Sequence, residues 1–237
     1  MARALPRLRS ARKPCDTLGV SVVNKLNSGL RPLLDLVYPP TCPSCGVAIA
    51  EHGGICSTCW NGLEVPSEDT QVIAPYIYNE ISRELVLKLK HGGKFSLAAL
   101  MGRMMATALE NGATDENRLL VPVPLHRLRI WERGYNQAAL LATELAKHGK
   151  GQVCLNALKR RKRTPSLGGL GRSERQRVLS GAITVNAACR EKLSGRKIVL
   201  VDDVYTSGAT SSACTSALLE AGAKSVKVLC FARVETD

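Results

Sequence analysis

The sequence predicts an α/β fold, a mainly parallel sheet flanked by helices, with a small N-terminal four-cysteine module. Three observations predict it. Beyond Leu63, short apolar runs alternate with helical patterns, the order expected of a parallel sheet covered by helices. Four of the nine cysteines fall in two Cys-x-x-Cys units. The apolar run from Ile198 to Val201 meets two adjacent carboxylates, Asp202 and Asp203, then a loop of small hydroxylated residues, then a helical pattern from about Ser211.

A chain of 237 residues, 45% hydrophobic, can bury one full core with a small appendage. Its N-terminus carries Arg3, Arg7, Arg9, Arg12 and Lys13 without an acid. Residues 1–16 therefore read as a disordered basic leader, with a transit-like peptide as the alternative. Leu18, Val22, Leu26, Leu30, Leu33, Leu34 and Val37 then recur at spacings of three and four. They mark an amphipathic helix within 17–40, ended by Pro39 and Pro40. Such a stripe docks on the protein body or lies on a membrane surface; docking is the expectation.

The module at 41–63 comes next. Cys42 and Cys45, with Gly46 after them, are separated by ten residues from Cys56 and Cys59. Two knuckles of this kind present four thiolates tetrahedrally, and the glycine permits the tight turn that aims amides at sulfur. The ion expected is zinc, and with no open coordination position its role is structural. His52 lies inside the loop and could compete as a ligand.

From residue 70 to 237 the pattern is that of the α/β domain. Strands are expected at 72–78, 119–123, 153–158, 198–202 and 225–232, and helices at 81–90, 97–110, 136–148 and 211–221. In parallel sheets ligands bind beyond the carboxyl ends of the strands, where the stretch 202–210 falls. There the backbone amides and hydroxyls of Thr206, Ser207, Gly208, Ala209 and Thr210 suit a phosphate at a helix start. Asp202 and Asp203 suit sugar hydroxyls, where a phosphate alone would gain nothing from negative charge. The loop lacks the Gly-Lys-Ser/Thr of a Walker A loop and the Gly-x-Gly-x-x-Gly of a Rossmann turn. It resembles the phosphoribosyl-pyrophosphate (PRPP) loop of type I phosphoribosyltransferases. An ordinary buried strand ending in an Asp-rich turn would explain neither the acidic pair nor the Thr-Ser-Gly-Ala-Thr series.

A second anion site is expected after the turn Val121-Pro-Val-Pro-Leu-His126. Arg127, Arg129 and Arg133 offer planar forks for polyphosphate oxygens, against the plainer reading of a solvated basic face. With this segment the resemblance narrows to the ComF family, also called competence protein F or amidophosphoribosyltransferase-like. The matching motifs are the four-cysteine module, Leu89-Lys90-His91-Gly92-Gly93, Val121-Pro-Val-Pro124, Arg133-Gly-Tyr-Asn-Gln137, the basic stretch from Arg160 to Thr164, and Asp202 to Thr210. Two departures fall in the basic loop that follows: Ser166-Leu167-Gly168 where relatives carry a Gln, and Val178 before Gly181-Ala182-Ile183 where they carry an Asn.

The resemblance implies PRPP recognition. Thr206 to Thr210 would hold the 5-phosphate, Asp202 and Asp203 the ribose hydroxyls directly or through Mg²⁺, and Arg127, Arg129 and Arg133 the leaving pyrophosphate. The family also implies a link to DNA uptake. Net charge of +13 favours polyanions, and Lys159, Arg160, Arg161, Lys162 and Arg163 form a run that could meet single-stranded DNA or close as a lid. Aromatics at 4% provide no evident stacking platform. No residue stands out as a general base, His126 being nearest in sequence. The expectation is a cytoplasmic, PRPP-binding phosphoribosyltransferase-family protein with an unidentified acceptor and DNA-processing partners. The alternative is a non-catalytic, PRPP-responsive DNA-binding or regulatory protein. No apolar run approaches the roughly 20 residues of a membrane span, and the scattered cysteines argue for reduced thiols rather than a disulfide framework.

Overall fold

The computed structural model describes residues 39–67, 72–91, 95–109, 117–161 and 181–235. The expected leader, the stripe of 17–37, Gly92, Gly93, Lys162, Arg163 and both departures before residue 181 lie outside these residues. The described secondary-structure elements all belong to the unit Thr41–Asp237.

In chain order the elements are α1 (Ser57–Asn61), β1 (Val72–Ile73), β2 (Tyr76–Ile77), α2 (Glu80–His91), α3 (Phe95–Ala108), β3 (Arg118–Pro122), α4 (Arg127–Arg133) and α5 (Gln137–Lys147). There follow β4 (Gln152–Val153), β5 (Leu158–Arg160), β6 (Ile183–Val185), a 3₁₀ turn at Ala187–Cys189, α6 (Arg190–Leu193), β7 (Lys197–Tyr205), α7 (Ala209–Glu220) and β8 (Ser225–Arg233).

The sheet runs β1-β8-β7-β3-β4, with β2 extending β1 along β8, and every pairing in it is parallel. Its central strands are apolar on both faces, as a doubly covered sheet requires. Val199 and Val201 of β7 join Leu89, Met101, Met105, Leu141 and Phe231 on one face. Ile198 and Leu200 join Cys214, Leu218 and Cys230 on the other, together with Leu158 and Ile183 of the ribbon. Helices α3 and α5 approach so closely that a Cβ on Gly102 would collide with the side chain of Glu144.

Five expectations are corrected. The strand expected at 72–78 is two short pieces, because Pro75 lies between them and has no N–H for the ladder. The strand expected at 153–158 stops at Val153, since Ala157 N turns back onto Cys154 O at 3.4 Å. Leu158–Arg160 then pairs antiparallel with Ile183–Val185, so the start of the basic run is strand, not loop. Strand β7 runs on to Tyr205, which places both acids inside it rather than in the loop. Finally, the arginines after His126 stand on the short helix α4, a stretch for which the sequence suggested no element.

Candidate functional site

The metal centre is built first in the chain. Gly46, with φ of 82°, closes a turn in which its amide donates to Cys42 O at 2.9 Å and Cys42 N donates to Val47 O at 2.7 Å. Cys56 caps α1, its sulfur accepting from Cys59 N at 3.4 Å, while Cys56 N donates to Cys42 Sγ at 3.5 Å. All four sulfurs lie within 4.8 Å of one another, and His52 is not one of this group. Burial opposes ionisation of Cys42, yet the amides of Cys56, Cys45 and Ser44 bring it down to about 6. Burial pushes Cys59 up to about 12. Four sulfurs with convergent amide donors fit a zinc ion, which would supply a structural cross-link and no open position for chemistry. Lys88 Nζ donates to Ser44 O at 2.7 Å and Arg103 to Gly53 O at 3.1 Å, fixing the module to α2 and α3.

At the carboxyl end of β7 the acidic pair is half in the core. Asp202 Oδ1 accepts from Asp203 N at 2.9 Å, and Asp203 Oδ1 accepts from Val204 N at 3.0 Å. Asp203 is buried, and its Oδ2 lies 2.8 Å from Lys90 Nζ on α2. That contact is ionic, its angle being poor for a hydrogen bond. Asp202 lies toward Cys214, Cys230 and Arg160. Burial, and then the neighbouring Asp203 carboxylate, push Asp202 well above the ordinary carboxylate range, while Lys90 pulls the other way. Holding two like charges together here stores electrostatic cost that a cationic or hydroxylic ligand would relieve.

The loop 206–208 follows directly. Gly208 has φ of 72° and is the N-cap of α7, with no side-chain cap on that helix. A Cβ at Gly208 would strike the ring of Tyr205, so glycine is required on both counts. Ser212 N donates to Gly208 O at 2.8 Å, closing the first turn of α7. Thr206 is exposed, Ser207 and Thr210 are half-buried, and Ala209 is buried. The amides of the first turn of α7 have no side-chain cap, the condition under which a helix end can take an anion.

The arginines separate. Arg127 and Arg129 are exposed on α4, and Arg129 lies near enough to Arg160 to depress it, after burial has done most of that. Arg133 instead donates to Gln137 at 3.3 Å. The whole Arg133-Gly-Tyr-Asn-Gln137 motif reads as a joint. Gly134 ends α4 at φ 79°, Tyr135 Oη donates to Leu89 O, and Asn136 caps α5 while its amide donates to Val123 O at 3.0 Å. His126 caps α4, its Nδ1 accepting from Leu128 N at 3.3 Å. In β5, Lys159 is exposed and Arg160 half-buried toward Asp202, and Arg161 N donates to Ala182 O at 2.8 Å.

Two residues at this place, Lys90 and Tyr205, were not singled out from sequence, and Arg160 was named only for the basic run and not for Asp202. Lys90 was legible only as part of Leu-Lys-x-x-Gly. Arg160 looked like one charge in a run of five. Tyr205 gave no signal, because its contact with Gly208 depends on β7 continuing past the acids.

Taken together, a parallel sheet with an acidic pair and an uncapped helix at its carboxyl edge defines a type I phosphoribosyltransferase domain, preceded by a zinc-ribbon-like module. Family models agree: residues 132–237 match the phosphoribosyl transferase domain and residues 33–70 the double zinc ribbon domain. In that second span this chain has a single set of four cysteines. Competence protein F of Haemophilus influenzae is 30% identical over 198 residues, 82% of this chain and 85% of that protein. DNA utilization protein YhgH of Escherichia coli K12 is 28% identical over 196 residues, 81% and 83% of the two chains. Competence protein ComFC of Bacillus subtilis is 29% identical over 204 residues, 82% and 78%. The chain belongs to the competence protein F family. Among the described residues, no helix is long and apolar enough to cross a membrane.

Proposed function

We propose that the protein binds PRPP at the carboxyl edge of β7 and serves DNA uptake or DNA processing, as the names of its relatives suggest. The observation that carries the reading is the step from Asp202 and Asp203 to the uncapped N-terminus of α7 at Gly208. Thr206, Ser207, Gly208, Ala209 and Thr210 would hold the 5-phosphate, whose dianion suits free amides and hydroxyls. The acids would hold the ribose hydroxyls. Mg²⁺ fits the same place, since it binds through one or two carboxylates and substrate oxygens while keeping waters. When bound, it would neutralise pyrophosphate charge.

Arg127 and Arg129 stay available for the pyrophosphate, and Arg160 extends that cationic wall toward Asp202. Arg133 has one arm of its guanidinium on Gln137. Displacement at the anomeric carbon would develop charge on the leaving group, which these cations stabilise. His126 is occupied as a helix cap, so an acceptor would have to be activated by another group. The test is calorimetric titration of the zinc-loaded protein with Mg²⁺–PRPP, beside the Asp202→Ala/Asp203→Ala variant. Binding lost in the variant supports the reading; a folded wild type that does not bind ends it.

A second reading, a single-stranded-DNA surface, is favoured by α4. No residue of this helix is buried, Trp131 is 85% exposed, and Arg127 and Arg129 flank it. Aromatic stacking beside arginine is how single strands are held without sequence preference. Binding that falls steeply with salt and drops on Trp131→Ala would support it.

A further inference from the structure

We propose that Lys90 is a positioning residue for the ribose end of this site, acting through Asp203. The inference rests on the phosphoribosyl reading and makes the two acids unequal. Asp203 has one oxygen on the Val204 amide and the other beside the Lys90 ammonium, and its side chain is 5% exposed against 23% for Lys90. A carboxylate at that depth persists as a charge only with a partner. Lys90 supplies that partner from α2, and also lies within electrostatic reach of Asp202. Asp202 keeps part of its surface open where Asp203 has almost none, even though its carboxylate is also desolvated, and it is the acid left to meet the ligand.

The placement of Lys90 is not incidental. The preceding carbonyl, Leu89 O, accepts from Tyr135 Oη, and the next residue, Asn136, is tied to Val123 O just past β3. Three motifs distant in sequence therefore meet at one point: Leu89-Lys90, Tyr135-Asn136 and Asp202-Asp203. The Leu89-Lys90 pair is the link between the other two, held by Tyr135 at Leu89 O and reaching Asp203 through Lys90, so a shift of α2 would move the cation that Asp203 faces. This gives the Leu-Lys pair a task that neither its helical propensity nor its burial requires.

The experiment is calorimetry on the full-length, zinc-loaded chain with three probes: Mg²⁺–PRPP, ribose 5-phosphate and inorganic pyrophosphate. Lys90→Met is expected to weaken PRPP and ribose 5-phosphate by roughly 10- to 100-fold, the range for leaving one buried charge without its partner. Pyrophosphate affinity should stay within about twofold, and Lys90→Arg should restore sugar binding by returning a cation to Asp203. The double variant Lys90→Met/Asp203→Asn should bind no worse than Asp203→Asn alone, because both changes remove one interaction. Additive losses would show that Asp203 contacts the ligand independently, and overturn the inference. So would loss of pyrophosphate binding with ribose 5-phosphate spared, which would make Lys90 a direct contact of the leaving group. If Lys90→Met does not fold, weak sugar binding by a folded Lys90→Arg overturns the inference, and full binding supports it. A wild type that binds neither PRPP nor ribose 5-phosphate would overturn the phosphoribosyl reading itself.

Discussion

Gly208→Ala is the sharpest single perturbation of the loop. At φ 72° an L-residue pays roughly 1–2 kcal/mol for the left-handed backbone. The new Cβ would also sit 2.7 Å from Tyr205 Cζ and 3.2 Å from Cε2, so the ring must swing out of its place. Forced overpacking of this kind costs about 1–3 kcal/mol. The sum is about 3 kcal/mol, which for a domain of this size lowers Tm by roughly 6–12 °C. Differential scanning calorimetry would read the stability and isothermal titration the PRPP affinity. Tyr205→Ala in the Gly208→Ala background should recover the steric part and leave the backbone part. A Gly208→Ala protein with unchanged Tm and unchanged affinity would refute the claim that the left-handed cap and the Tyr205 contact shape this loop.

Other consequences can be checked alongside. Cys42→Ser should reduce bound zinc, measured by atomic absorption, and loosen 41–63 to limited proteolysis, since structural zinc supplies folding energy. Tyr135→Phe leaves Leu89 O without that donor and should cost about 1–2 kcal/mol in urea unfolding. Arg233→Ala removes donations to Ser67 O at 2.6 Å and Ser67 Oγ at 2.9 Å and should release the strap 64–67, read by hydrogen exchange. Asp202→Asn should raise Tm in metal-free buffer at neutral pH while weakening ligand binding. Because burial and Asp203 raise the folded pKa, the native state binds the extra proton, so wild-type stability falls as pH climbs from the unfolded value through the folded one. The gain from Asn should therefore shrink as pH is lowered toward about 4, and a gain that grows on acidification would contradict the sign.

How much could be read in advance varies by element. Helix α5 was expected at 136–148 and forms at Gln137–Lys147, because its apolar period and the Asn136 cap are local properties. Strand β3 was similarly plain, with Pro122 and Pro124 marking its end. The four cysteines announced their own geometry, since two short Cys-x-x-Cys loops converge whatever surrounds them. By contrast, 153–158 looked like one strand and became two half-pieces in different sheets. Its ribbon partner, Ile183–Val185, lies over twenty residues away in sequence, and nothing local names it.

Sequence alone therefore determined what is set by neighbours along the chain: the alternation of helices and strands, the metal module, and the order of acids, glycine and hydroxyls around 202–210. The tertiary structure decided what each charge does. Arg133, one of three similar arginines in sequence, is turned to Gln137, whereas Arg160, one of five cations in a run, is brought toward Asp202 by an antiparallel pairing. Lys90 reaches Asp203 across more than a hundred residues of sequence at 2.8 Å. Periodicity records which face of an element is buried. It carries no record of which distant group will share that burial, and charge inside a protein takes its role from such partners.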